Sequence, residues 1–111
     1  MSRAILSWGS IAATALALVP AAALAGAHAA SSHTVRLEHF AFGPSTLSIR
    51  RGESVTWVWH DSREHNVTFN SVRSRTQVHG AFTVRFTRPG TFNYRCTIHI
   101  SEGMRGRIIV H

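Results

Sequence analysis

Residues 91–104 read TFNYRCTIHISEGM. Through the first six, Phe92, Tyr94 and Cys96 alternate with Asn93 and Arg95, the period of two that turns one face of a strand inward and the other out. The chain's single cysteine is therefore predicted to point inward at the end of a strand. Beyond it the chain must leave the sheet. Residues 97–103 then give His99 and Met104 room to turn back toward the same point before a last strand begins at Gly106.

The same alternation runs outward along the chain. Val35, Leu37 and His39 alternate with Arg36 and Glu38, Leu47 and Ile49 with Ser48 and Arg50, and Val55, Trp57 and Trp59 with Ser54, Thr56 and Val58. Turn residues separate these runs at Gly43-Pro44, Arg51-Gly52-Glu53, Asp61-Ser62-Arg63 and Arg88-Pro89-Gly90. Further strands are predicted over 65–70, 81–86, 91–96 and 106–110. The pattern predicts an all-β chain: an antiparallel Greek-key β-sandwich of about seven or eight strands. Residues 71–80 are the least regular and read equally as a loop, an edge strand or a short helix.

One end of the chain stands apart from this pattern. A single basic residue, Arg3, precedes an apolar run from Ile5 to about Val19 and then a string of small residues, the layout of an export signal. Cleavage after Ala25 or after Ala29 satisfies the small-x-small rule, which divides the chain into a signal over 1–29 and one domain over 30–111. An uncleaved anchor is the alternative, since residues 5–25 are just long enough to span a bilayer. Lipid attachment is not expected, because Ala27 stands where the acceptor cysteine would be.

All twelve basic residues are arginine, and eleven remain against five acids once Arg3 is removed. That surplus favours acidic partners or anionic surfaces. The export signal and the scattering of the arginines argue against nucleic acid. One cysteine cannot form an internal disulfide, so a domain this small must be held by packing, helped by a bound metal.

His65, Val67 and Phe69 form a second inward set, which puts a histidine at the start of its strand. His65, Cys96, His99 and Met104 then offer two imidazoles, a thiolate and a thioether at one pole of the sandwich. Thiolate and thioether are soft and imidazole is borderline, a set that suits copper in a trigonal site with a weak axial methionine. Zinc prefers four strong tetrahedral donors, and a thioether is a poor one. His28, His33, His39, His60, His79 and His111 show no ligand pattern. Trp57 and Trp59 read as core.

With Phe40-Ala41-Phe42-Gly43-Pro44, Val55-Thr56-Trp57, His65-Asn66-Val67, Pro89-Gly90-Thr91-Phe92 and the C-x2-H-x4-M loop, the chain after the signal resembles the cupredoxins, in particular the small plastocyanin, amicyanin and pseudoazurin group. The resemblance implies one copper ion, cycling between Cu(I) and Cu(II), on His65, Cys96 and His99 with Met104 as a long axial ligand. It also implies that Asn66 ties the two ligand loops together beside the sulfur, and that His99 is the electron port. The loop spacing is similar to plastocyanin or pseudoazurin, whereas amicyanins are typically two residues shorter between histidine and methionine.

The chain departs from the group at two places. Ile98 stands where many members have proline. Arg95 stands where photosynthetic plastocyanins carry an exposed tyrosine, which argues against a remote docking site on that side.

The implied function is a blue copper, one-electron carrier between exported proteins, periplasmic or extracellular, monomeric, and not inserted in a membrane after cleavage. Its partner is expected to be a redox protein with an acidic docking surface. Ile98, Ile100 and Pro44 are expected to form an apolar contact ring around His99, with Arg105 or Arg63 as a positive rim. A copper(I) storage or delivery protein would use the same ligands. A multicopper oxidase would need further histidine-rich sites, a Cys-His hydrolase would leave Met104 without a role, and a binuclear copper centre needs two cysteines. A metal-free interaction domain would have no use for the four donor types.

Overall fold

The computed structural model describes residues 31–111. The signal read over 1–29, with its two cleavage positions, Arg3 and His28, lies outside the described residues. Strands form at Ser32–Glu38 (β1), Ala41–Gly43 (β2), Thr46–Ile49 (β3), Ser54–Trp59 (β4), Ala81–Arg85 (β5), Gly90–Arg95 (β6) and Arg105–Val110 (β7), with a 3-10 turn at Ile100–Glu102. Among the described residues no helix is long and apolar enough to cross a membrane.

Two sheets, in the orders β2-β1-β4-β5 and β3-β7-β6, make the predicted sandwich. The pairing is not uniformly antiparallel, however: β1 runs parallel to β4 and β3 parallel to β7. The chain leaves the first sheet after β2, contributes β3 to the second and returns at β4. That crossing brings β4 back beside β1 in the same direction.

The alternation read from the sequence decides what is buried. Val35 and Leu37 of β1, Val55, Trp57 and Trp59 of β4, Tyr94 of β6 and Ile108 and Val110 of β7 all face the core. Tyr94 packs edge-on against Trp57 and Phe42, with ring centroids 5.2 and 4.7 Å apart, an arrangement that suits the aromatic quadrupoles. The phenol crosses directly over Gly106, where a Cβ would come within 2.4 Å of the ring. Only glycine leaves room for it, which fixes how closely β7 approaches β6 next to the last residue of the Cys96 loop.

The segment over 65–70 departs from expectation. It is not a strand of either sheet. Isolated bridges join His65 to Gln77, and Thr68 to both Arg73 and Arg95. His65, Asn66, Val67, Thr68 and Phe69 are all buried in succession, so period two does not describe them. The cause is cover on both sides: the residues over 71–77 fold back along one side as a loop, and β6 lies along the other, through Thr68 N to Arg95 O at 2.9 Å and Arg95 N to Thr68 O at 3.1 Å. The inward placement of His65 holds, with its side chain fully buried.

Candidate metal centre

Backbone hydrogen bonds close the loop after β6 on itself. Cys96 N donates to Met104 O at 3.0 Å, Met104 N to His99 O and His99 N to Cys96 O, each at 3.3 Å. The 3-10 turn at 100–102 ends at Gly103, whose φ of 80° lies in the left-handed region that costs glycine least. That stop turns Met104 inward, where it is fully buried. The sequence C-x2-H-x4-M therefore becomes a short ring that starts and ends at the same place.

His65 reaches that place from the other side of the site. Its backbone pairs with Gln77 in both directions, and its carbonyl accepts Trp59 Nε1 at 3.0 Å. Its ring lies 5.0 Å from that of His99. One ligand atom each from His65, Cys96 and His99 falls within 4.8 Å of the others, and this is the cluster of three such donors found among the described residues. Bonds of roughly 2.0–2.3 Å to a central ion would place trigonal donors about 3.6 Å apart, a small contraction from this spacing. His33 instead contacts Glu53 and His39 contacts Glu38.

The fit to a metal shows in one atom. Among the described residues, three buried side-chain atoms lack a hydrogen-bond partner: Trp57 Nε1, Tyr94 Oη and His65 Nδ1. The first two belong to the aromatic core. His65 Nδ1 belongs to the donor cluster, and a buried polar atom without a partner is costly unless something binds it. The other nitrogen, Nε2, lies 2.9 Å from Asp61 Oδ1, so it holds the proton and leaves the Nδ1 lone pair bare. A carboxylate on the far nitrogen of a ligand histidine fixes its tautomer and raises its basicity.

Sequence reasoning took Asp61 as a turn former and missed this contact. Burial raises its carboxyl, but hydrogen bonds from the His39 and Arg63 amides and from His65 outweigh that and hold it below the ordinary aspartate value. Asp61 Oδ2 accepts the His39 amide at 3.0 Å, pinning the two-residue turn between β1 and β2. His39 and Phe40 both sit at positive φ, 57° and 56°, uncommon for non-glycine residues and most of all for a bulky one. The turn places Phe40 edge-on to His99, centroids 4.8 Å apart, with the Arg63 guanidinium 4.8 Å over the Phe40 ring.

Asn66 is hydrogen-bonded to the Cys96–Thr97 segment as well as to its own. Its amide N lies 3.4 Å from Cys96 Sγ, a donor suited to a thiolate. Its side chain uses every hydrogen-bonding position: Nδ2 donates to Thr76 and Thr97 hydroxyls, and Oδ1 accepts from Thr68 Oγ1 and Thr97 N. The His99 ring is 17% exposed and its Nε2 lies 2.9 Å from Glu64 O. Beside it Ile98 is 46% exposed, while Ile100 is half-buried and Pro44 exposed.

The profile of the family described as "Copper binding proteins, plastocyanin/azurin family" matches residues 29–111. The chain belongs to that copper-binding family. It is 32% identical over 89 residues to amicyanin-alpha of Methylorubrum extorquens, covering 73% of each chain. It is 31% identical over 83 residues to plastocyanin of Scenedesmus fuscus, covering 62% of this chain and 85% of that one. Among solved structures, the reduced Cu(I) form at pH 4 of an amicyanin variant superposes with a TM-score of 0.66 at 26% identity, over 73% of this chain and 83% of that one. As a cupredoxin the chain is a blue copper protein that carries electrons, and copper is the metal to which its soft and borderline donors are suited.

Proposed function

We propose that the protein carries one electron at a time between exported redox proteins, with copper held by His65 Nδ1, Cys96 Sγ and a His99 nitrogen, and weakly by the Met104 thioether. The convergence of three donors on a bare, buried His65 Nδ1 carries this reading. Held by these residues, copper would supply one-electron Cu(II)/Cu(I) chemistry. The chain's part is to keep the donors still. The closed 96–104 ring, the saturated Asn66 side chain and the Asp61 contact hold each of them before and after transfer, so little need rearrange. His99, part-exposed beside Ile98, opens toward a partner, and the Asn66 amide steadies the negative sulfur.

A carrier rather than an enzyme is favoured because the His65 imidazole and the Cys96 thiol are buried, and the His99 ring, flanked edge-on by Phe40, is only part-exposed. The arginine surplus favours an acidic partner, the N-terminal pattern favours the periplasm or cell exterior, and a small interface between monomers suits brief encounters.

Copper(II) titration tests this. One equivalent per chain is expected to bind and give intense visible thiolate-to-copper absorption. A protein that holds copper(I) tightly but shows no coloured copper(II) state would be a storage or delivery protein, and the carrier reading would be lost.

The axial role of Met104 has its own test. Met104→Leu keeps the volume and the burial but removes a weak donor that favours copper(II) more than copper(I). Copper and colour should persist while the reduction potential rises by about 60 mV, one factor of ten in the relative stability of the two oxidation states. Complete loss of copper from a folded variant would show that the thioether is a principal ligand.

A further inference from the structure

Seven of the arginines that look scattered in the sequence line one set of neighbouring hollows. β5 and β6 are edge strands of their sheets, and both line a cleft of about 360 Å³ whose walls include Phe86, Phe92, Arg85, Arg88, Arg95 and Arg105. Phe86 is buried and Phe92 half-buried, whereas Arg85, Arg88 and Arg105 are exposed, so the aromatics form a floor and the guanidiniums a rim. Adjoining hollows carry the same charge onward, pairing Arg95 with Arg73, Arg73 with Arg75, and Arg105 with Arg107. Among the described residues, no aspartate or glutamate lines any of these hollows.

The acids are elsewhere. Glu38 pairs with Arg36 and Glu53 with His33. Asp61 contacts His65, Glu64 gives its carbonyl to His99, and Glu102 lies 3.9 Å from the His99 ring. The end of the molecule around the two ligand histidines thus holds three of the five acids, with Arg63 engaged on Phe40. Charge recognition and the exposed ligand histidine occupy different faces, and Arg105 belongs to the flank.

We propose that this flank is the docking surface for the acidic redox partner, and that it takes a carboxylate-rich extended segment of that partner into the cleft lined by β5 and β6. The inference rests on the electron-carrier reading above. An extended segment with alternating side chains would set apolar groups on Phe86 and Phe92 and carboxylates on the arginine rim, while the edge of β5 and the part of β6 ahead of Arg95, whose own main chain is paired with Thr68, supply main-chain partners. A lipid surface is flat: it would meet the guanidinium tips and leave the aromatic floor uncovered. β6 runs straight into Cys96, so a partner held along it lies beside the strand that carries the sulfur donor. Arg95, which from the sequence argued against docking on this side, becomes part of the rim.

The test is a titration of the copper-loaded full-length protein, reduced so that it is diamagnetic, with a short synthetic peptide rich in aspartate and glutamate, followed by backbone amide shifts. At low salt, shifts are expected at residues 73, 85–88, 93–95 and 105. The double variant Arg73→Glu, Arg88→Glu should weaken binding about tenfold or more, with the visible spectrum of the reoxidised protein unchanged; Arg63→Glu should change binding little. Binding that follows Arg63 and shifts centred on 98–100 would overturn the flank and keep the acidic-partner reading. Absence of any salt-sensitive binding would remove both. Vesicles of phosphatidylglycerol that bind and are not displaced by the peptide would assign the flank to a membrane and overturn the proposal.

Discussion

Cys96→Ser is expected to abolish the visible absorption of the copper(II) protein and most of its copper affinity, while leaving the sandwich folded. The colour of such a site arises from charge transfer out of a thiolate, and a serine hydroxyl neither ionises at neutral pH nor offers a soft donor. The exchange is nearly isosteric. Cys96 is fully buried, and the Asn66 amide 3.4 Å from the sulfur can donate to a hydroxyl in its place. The acceptor nearest in kind for the hydroxyl's own proton is the bare His65 Nδ1 of the same cluster, and the cost of burying the hydroxyl is at most about 1–3 kcal/mol in mutational data. The melting midpoint of the copper-free variant should fall accordingly, with far-UV circular dichroism unchanged. A variant that stays folded and keeps the intense band would show that the donor is not this sulfur. Should it fail to fold, Cys96→Ala, which buries no new polar group, supplies the same comparison.

The sulfur's position was legible because two strong patterns meet there. Alternation through Phe92, Tyr94 and Cys96 fixed its direction, and the spacing to His99 and Met104 allowed a return to the same point. The flat strands β1, β4 and β7 were legible for the same reason, since one face of each is buried. Legibility failed where a segment is enclosed on both sides, as over 65–69, because burial there no longer alternates. It failed also for contacts made across irregular chain. Asp61 in Asp61-Ser62-Arg63 looks like an ordinary turn residue, and nothing local says that its carboxylate meets a ring four residues on. The parallel pairing of β1 with β4 depends on β3 changing sheets, which no local pattern encodes. The arginine flank is similar: Arg73, Arg88 and Arg105 come near one another only because the edge strands β5 and β6 line one cleft and the loop after Phe69 borders it.

Asp61→Asn is expected to raise the reduction potential by about 60–120 mV. The carboxylate holds the proton on His65 Nε2, 2.9 Å away, and its charge makes Nδ1 a stronger donor. Copper(II), with the higher charge, gains more from that donor than copper(I) does. Losing such an outer contact typically costs about 10- to 100-fold in metal affinity, and where the loss falls on the oxidised state each factor of ten raises the potential by about 59 mV. Asparagine preserves shape, so an oxygen at the Oδ1 position can still accept the Arg63 amide and, without the charge, more weakly His65 Nε2, but the His39 amide then faces an NH2 group and the turn bearing Phe40 should loosen against His99. Imidazole nitrogen shifts of the copper-free protein separate the two effects. Asp61 should hold His65 as one tautomer protonated on Nε2, and the variant should show a mixture. A folded Asp61→Asn protein with unchanged potential and a single Nε2 tautomer would leave Asp61 as a turn residue alone, and the control of His65 would have to come from the backbone that pairs it with Gln77.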